Sequence, residues 1–169
     1  MGVYYTMSAR QKNIDTVHIF YEALRNQDME AANAVLTDDV ELYIVGRTPV
    51  SGRWVGKDHG MVELATKVFS LIEPGTWNFG RNYKIVCADD AAVVAMFEGG
   101  GKSIHGHDYT QTYMELFNFR DQKISNIYEM IDTAMIETSL FDNPLSIPES
   151  DPVLPLNMSK IAGENSAET

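Results

Sequence analysis

From Trp77 to Ile131 the sequence alternates almost without interruption. Four segments, Trp77–Val86, Ala91–Glu98, Ser103–Arg120 and Lys123–Ile131, are rich in β-branched and aromatic residues with a period of two, the pattern of half-buried strands. They are separated by Asp89-Asp90, Gly99-Gly100-Gly101 and Arg120-Asp121-Gln122-Lys123. Connections this short permit hairpins and exclude parallel crossovers. The stretch is therefore committed to an antiparallel meander, with the glycine run read as a flexible hairpin turn.

The residues before the meander have helical character. Ile14, Val17, Phe20, Tyr21 and Leu24 recur at helical spacing from Gln11 to about Asn26, with Asn13 or Asp15 as candidate caps. Asp28 is placed to cap a short second helix through Ala31, Ala32 and Leu36. Val40 to Val45 reads as a strand, and Pro49, Gly52 and Gly56 break the stretch that follows. A third helix is predicted from Lys57 or Asp58 to about Leu71, with Met61, Leu64, Ala65, Val68 and Phe69 on its buried face. Helices followed by a run of hairpin strands define an α+β fold, with the helices gathered on one face of a bent sheet. At 169 residues the chain makes one domain. The reading divides it into an N-terminal extension (1–12), the folded body (13–141) and a Pro-rich tail (142–169).

Charge narrows the partners. The chain carries 13 Lys and Arg against 24 Asp and Glu, a formal net charge of −11, so a phosphate backbone or anionic membrane is repelled on average. No nucleic acid and no membrane partner is expected. No apolar stretch approaches the roughly 18 residues of a membrane span, and the start lacks signal-peptide character, which predicts a cytoplasmic protein. Met1 to Thr6 fits the short myristoylation pattern, read here as chance because no polybasic stretch follows. Cys87 is the only cysteine; its β-branched surroundings predict a buried, inert thiol.

Several short motifs then occur in a telling order: Phe20-Tyr21-Glu22-Ala23-Leu24 with Asp28, Thr37-Asp38-Asp39-Val40, Gly46 through Val50-Ser51-Gly52-Arg53-Trp54-Val55-Gly56, Tyr109–Tyr113, Lys123-Ile124, and Glu129-Met130-Ile131-Asp132-Thr133. In this order the chain, from about Ile14 to Phe141, resembles the SnoaL-like polyketide cyclase and ketosteroid isomerase group of the nuclear-transport-factor-2-like superfamily. The resemblance implies a cystatin-like cone: three N-terminal helices on a strongly bent, mostly antiparallel sheet enclosing an apolar pocket. It also implies a homodimer through the outer face of the sheet.

Strand parity locates the site the resemblance implies, because side chains two apart share a face. The family's inward acid on the last strand falls on Glu129, which carries Ile127 and Ile131 inward with it. Asp132 faces the other way and is read as a cap. Glu98 matches the first carboxylate of the family's epoxide hydrolases, with Met96 at their arginine position and Leu42 and Ile44 at the positions of the tyrosine and asparagine that hold their water. Of the steroid isomerases' three groups, the base position falls near Ile44, the tyrosine position on Phe20, and only the acid remains, as Glu115. On the longest strand His105, His107, Tyr109, Gln111, Tyr113 and Glu115 share parity, equally compatible with a solvated face; the resemblance assigns them to the cavity. The His105/His107 pair is about 6–7 Å apart on a strand, wide for one ion, so no metal is expected.

The expected activity is that of a cofactor-independent acid/base enzyme, a cyclase, isomerase or dehydratase, acting on a small, apolar, oxygenated ligand. Glu129 and Glu98 are the acid and base candidates, since crowded acids in an apolar pocket hold a proton near neutrality. Glu115, Tyr113 and Gln111 would orient the substrate or stabilise an oxyanion, with Tyr109 beside them. His107 would relay protons. Trp54, Phe20, Met96 and Ile127 are the proposed apolar walls. The alternatives are a non-catalytic binding or assembly module, and water addition to an epoxide by paired carboxylates.

Overall fold

The computed structural model describes residues 7–145. Of the expected extension and tail, residues 1–6 and 146–169 lie outside the described residues, and with them the myristoylation pattern and the tail's Pro148, Pro152 and Pro155. Helix α1 (Ala9–Arg25) is capped by Ser8, whose hydroxyl accepts from the Gln11 N–H, so it begins two residues before the expected start and Asn13 and Asp15 lie within it. Asp28 caps α2 (Met29–Ala34) as the spacing predicted, accepting from Ala31 N–H at 2.9 Å. Strand β1 (Leu36–Ile44) starts earlier than expected and includes Thr37-Asp38-Asp39. After β2 (Gly52–Val55), a π-helical turn over Gly56–Gly60 leads into α3 (Met61–Phe69).

The meander is β3 (Asn78–Ala88), β4 (Ala92–Lys102), β5 (Asp108–Arg120) and β6 (Lys123–Met130), followed by the single turn α4 (Thr133–Met135) and a π-helical turn to Leu140. The strands form one curled, unclosed sheet in the order β2-β1-β6-β5-β4-β3. Every pairing is antiparallel except β1 with β6. The architecture is thus the α+β cone, with its core between the concave face of the sheet and the helices. No helix among the described residues is long and apolar enough to cross a membrane.

Two expectations are corrected, and the first bears on the site. The run Gly99-Gly100-Gly101 is not a hairpin turn: it lies inside β4, paired with Gln111, Thr110 and Tyr109, and the chain turns at Ile104 to His107. The glycines serve close approach. A Cβ on Gly100 would overlap the carbonyl oxygen of Tyr109, and one on Gly99 would press into the Phe79 ring. Removing side chains here lets β4 and β5 bend together. Cys87 is exposed, not buried. The register of β3 on β4 slips between Ile85 and Cys87, so Val86 and Cys87 both face outward on an edge strand.

Candidate active site

The bent sheet and the helices enclose a cavity of about 360 Å³, within the range of small-molecule sites. Its walls are apolar: Phe20 and Leu24 of α1, Leu42 and Ile44 of β1, Leu64 and Val68 of α3, Phe97 of β4 and Ile127 of β6. On β5 the inward residues are Tyr109, Gln111, Tyr113, Glu115 and Phe117, all buried, while Asp108, Met114 and Arg120 are exposed. This is the parity the sequence analysis assigned to the cavity.

Two carboxyls meet on the inner face. Glu115 and Glu129 are directly opposite in the β5–β6 register and share a hydrogen bond. Directly opposed residues have Cβ atoms about 5 Å apart, so the pairing alone brings the carboxyls together. On the other side of Glu115, β4 offers only the methyl of Ala95, which leaves room for the acid. Glu115 is 4% exposed, and Glu129 is half-buried and lines the cavity. The Tyr21 hydroxyl of α1 donates to Glu115 Oε2 at 2.5 Å.

Burial governs the electrostatics. It raises Glu115 to about 7, against the hydrogen bonds from Tyr21 and Glu129, which stabilise its anion. Glu129 is raised further, first by burial and then by the Glu115 charge beside it. The pair therefore keeps at least one proton at neutral pH, with Glu129 its favoured holder and Glu115 the acceptor of both hydrogen bonds. Lys57 is the cation on the cavity wall, and its ammonium is engaged by Asp38 at 2.6 Å.

Toward the start of β5 the same face carries a neutral cluster. The hydroxyls of Tyr109 and Tyr113 are 2.8 Å apart, and Gln111 Nε2 donates to both, at 2.8 and 3.2 Å. Residues four apart on a flat strand stand about 13 Å apart, and the two phenols span that gap by leaning toward each other on the concave face of β5. Gln111 Oε1 accepts from the Asp132 N–H at 2.6 Å. The Asp132 carboxylate caps α4 through Met135 N–H, the role read for an acid just past the strand's end.

Other expected members lie elsewhere. Glu98 and Met96 are not on the cavity side, because the buried residues of β4 are Val93, Ala95 and Phe97, one position out of phase with the expectation. Glu98 is bonded instead by Asn82 Nδ2 across the β3–β4 pair. His107 and His105 belong to the exposed turn before β5, where strand parity no longer holds; His107 Nε2 contacts Asp142 Oδ1 at 3.1 Å. Trp54 stands outside the cavity wall, its indole N–H donating to the Val50 carbonyl at 2.9 Å. Phe20, Ile127, Tyr109, Tyr113, Glu115 and Glu129 line the cavity, and Gln111 backs it.

Sequence reasoning missed Tyr21 as a functional group. A signal was present: a tyrosine on the buried face of an amphipathic helix needs a partner for its hydroxyl, and the inward acid Glu115 was the acceptor available.

A helix-capped, curled sheet around a cavity is the NTF2-like fold, and solved structures agree. An NTF2-like protein of Burkholderia xenovorans is 22% identical over 78% of this chain and 97% of its own, with TM-score 0.64. A Xanthomonas campestris protein assigned as a polyketide cyclase is 20% identical over 76% and 99%, TM-score 0.60. An M. tuberculosis LEH-like epoxide hydrolase is 22% identical over 79% and 92%, TM-score 0.57. The SnoaL-like domain model matches residues 17–127, and the chain belongs to that family. No curated protein sequence matches it.

Proposed function

We propose that the protein is a cofactor-independent acid/base enzyme, an isomerase, cyclase or dehydratase, acting on a small apolar molecule that carries oxygen. The observation that carries this reading is the Glu115–Glu129 pair, two buried carboxyls opposed in register and hydrogen-bonded to each other in a mainly apolar cavity. Glu129, protonated and the more accessible of the two, gives its proton to a substrate atom. With Glu115 ionised, this leaves two negative charges side by side, and the pair relieves the repulsion by taking a proton from a second substrate atom. The exchange is balanced without oxidant or reductant: the substrate is isomerised, or loses water when the protonated atom is a departing hydroxyl. Family membership, and fold relatives named as a cyclase and an epoxide hydrolase, support small-molecule chemistry. The hydrolase route is less well supported, since Glu98 faces away from the cavity and no arginine lines it among the described residues.

The test is proton exchange. Wild type and Glu129→Gln are incubated in D₂O with a panel of cyclic ketones, and deuterium uptake is read by mass spectrometry. Uptake catalysed by wild type and lost in the variant supports the enzyme; ligands bound tightly by wild type without exchange return the non-catalytic binding module.

The homodimer belongs to the same reading. In its support, Met96, Met114 and Met130 stand in register across the outer face of β4, β5 and β6, with Met114 and Met130 exposed. Beside them Tyr43 stacks on Tyr128 at 4.9 Å. Such a contiguous apolar row marks an interaction face. Light scattering on wild type and Met114→Lys/Met130→Lys checks it, with a dimer expected for the first and a monomer for the second.

A further inference from the structure

The Tyr109–Gln111–Tyr113 cluster holds one more hydrogen than its own bonds use. The Asp132 N–H fixes Oε1 of Gln111 as the acceptor, so the amide is oriented without ambiguity and Nε2 turns its two hydrogens to the phenols. The contact between the two hydroxyls uses the hydrogen of one of them. The hydrogen of the other has no acceptor in the cluster, and neither phenol bonds elsewhere among the described residues. Both rings line the cavity, and burial keeps both protonated far above neutral pH.

We propose that the Tyr109–Tyr113 pair is a ligand subsite that donates one hydrogen bond to an acceptor oxygen, a ketone carbonyl or the enolate formed from it. Gln111 is the positioning residue: buried behind the phenols and tied to the backbone at the start of α4, it supplies hydrogens to both hydroxyls and so obliges one of them to point its own outward. The hydrocarbon frame of the ligand packs on Phe79 and Phe97, the latter stacked on Tyr113 at 4.4 Å. A ligand oxygen seated here is held while the acid pair, further along the same strand, moves the proton. The inference deepens the acid/base reading and rests on it for the use made of the oxygen, but not for its binding.

Acetylnaphthalene and isopropenylnaphthalene, which differ by a carbonyl oxygen against a methylene of similar shape, are the probes. Calorimetry on wild type should favour the ketone by about threefold to tenfold, the range of one neutral hydrogen bond. Tyr109→Phe and Tyr113→Phe should each keep a preference, because the remaining phenol retains its own hydrogen. Tyr109→Phe/Tyr113→Phe should bind the two probes alike. A wild-type ratio near one, failure of folded wild type to bind either probe, or an undiminished ratio in the folded double variant overturns the proposal. If the double variant does not fold, the carbonyl stretch of the ketone bound to wild type decides: a shift to lower frequency than in an apolar solvent is expected, and no shift overturns it. Neither measurement involves Glu129 or turnover, so their failure is distinct from failure of the exchange test.

Discussion

The two polar clusters of the cavity stand on the same face of one strand and are built by different means. Glu115 and Glu129 meet across strands, where register alone opposes them. Tyr109 and Tyr113 meet along a strand, where two long side chains on the concave face lean together across residues four apart. The first cluster is ionisable, opens to the cavity through Glu129 and shares its proton internally; the second is neutral and fixed by a backbone N–H. A mobile proton is thus placed at one end and a fixed donor at the other. Register supplies the reactive pair, and bending supplies the group that holds the ligand against it.

The largest effect should come from separating these roles. Glu129→Gln keeps a hydrogen-bonding amide opposite Glu115 but cannot carry a titrating proton, so turnover of an exchanging ketone should fall about 10²- to 10⁴-fold, the usual range for a lost acid/base group. Affinity for acetylnaphthalene should stay near the wild-type value. A parallel loss of both would mean that the two clusters do not act separately.

Curvature can be broken from the neighbouring strand. Gly100→Ala sets a Cβ against the Tyr109 carbonyl, a backbone contact that cannot yield as a side chain would. We expect a loss of at least about 3 kcal/mol in urea unfolding, at the upper end of overpacking changes. In any folded fraction the ketone preference should weaken before the Glu115–Glu129 pair is disturbed, because that pair depends on the β5–β6 register and not on the glycine run.

This same division explains what the sequence made legible. Period-two alternation from Trp77 onward was enough for the meander, and parity on β5 and β6 correctly carried Tyr109, Gln111, Tyr113, Glu115 and Glu129 to one face. Parity fails where a strand ends or a phase is borrowed. His107 shares the odd numbering of Tyr109 but sits in a turn that the glycine run was mistaken for. Glu98 was placed by likeness to a hydrolase, whereas the apolar residues Val93, Ala95 and Phe97 already indicated the opposite phase. Tyr21 was legible only as a buried phenol in need of an acceptor; that the acceptor is Glu115 rests on the distance between a helix and a strand.

The acid pair should also be visible in stability. The folded-state value of Glu115, about 7, lies above its ordinary 4.5, so between these values the folded protein holds more protons than the unfolded chain. The contribution of Glu115 is then fully present below about 4.5 and is lost as pH rises through about 7, and Glu129, raised further, carries the fall on to higher pH. The decrease is on the order of 3 kcal/mol from Glu115 alone, and Glu129 adds to it in the same direction. Urea midpoints at about pH 5 and about pH 8 should differ accordingly in wild type, and Glu115→Gln/Glu129→Gln should lack this slope. The phenol cluster contributes none in this range, since burial holds Tyr109 and Tyr113 protonated throughout.

The smallest effect is expected from the acid that the sequence nominated and the sheet turns away. Glu98 pairs with Thr112 in the β4–β5 register and takes a hydrogen bond from Asn82 on the face opposite the cavity. Glu98→Gln preserves a group able to accept that bond, so turnover should stay within about twofold of wild type and stability within about 0.5 kcal/mol, as for a surface change away from buried features. Steady-state exchange rates on the ketone used for Glu129→Gln make the comparison direct. A loss from Glu98→Gln approaching that from Glu129→Gln would mean that the outer face takes part in the chemistry, and that the concave face of β5 and β6 does not hold the whole of the site.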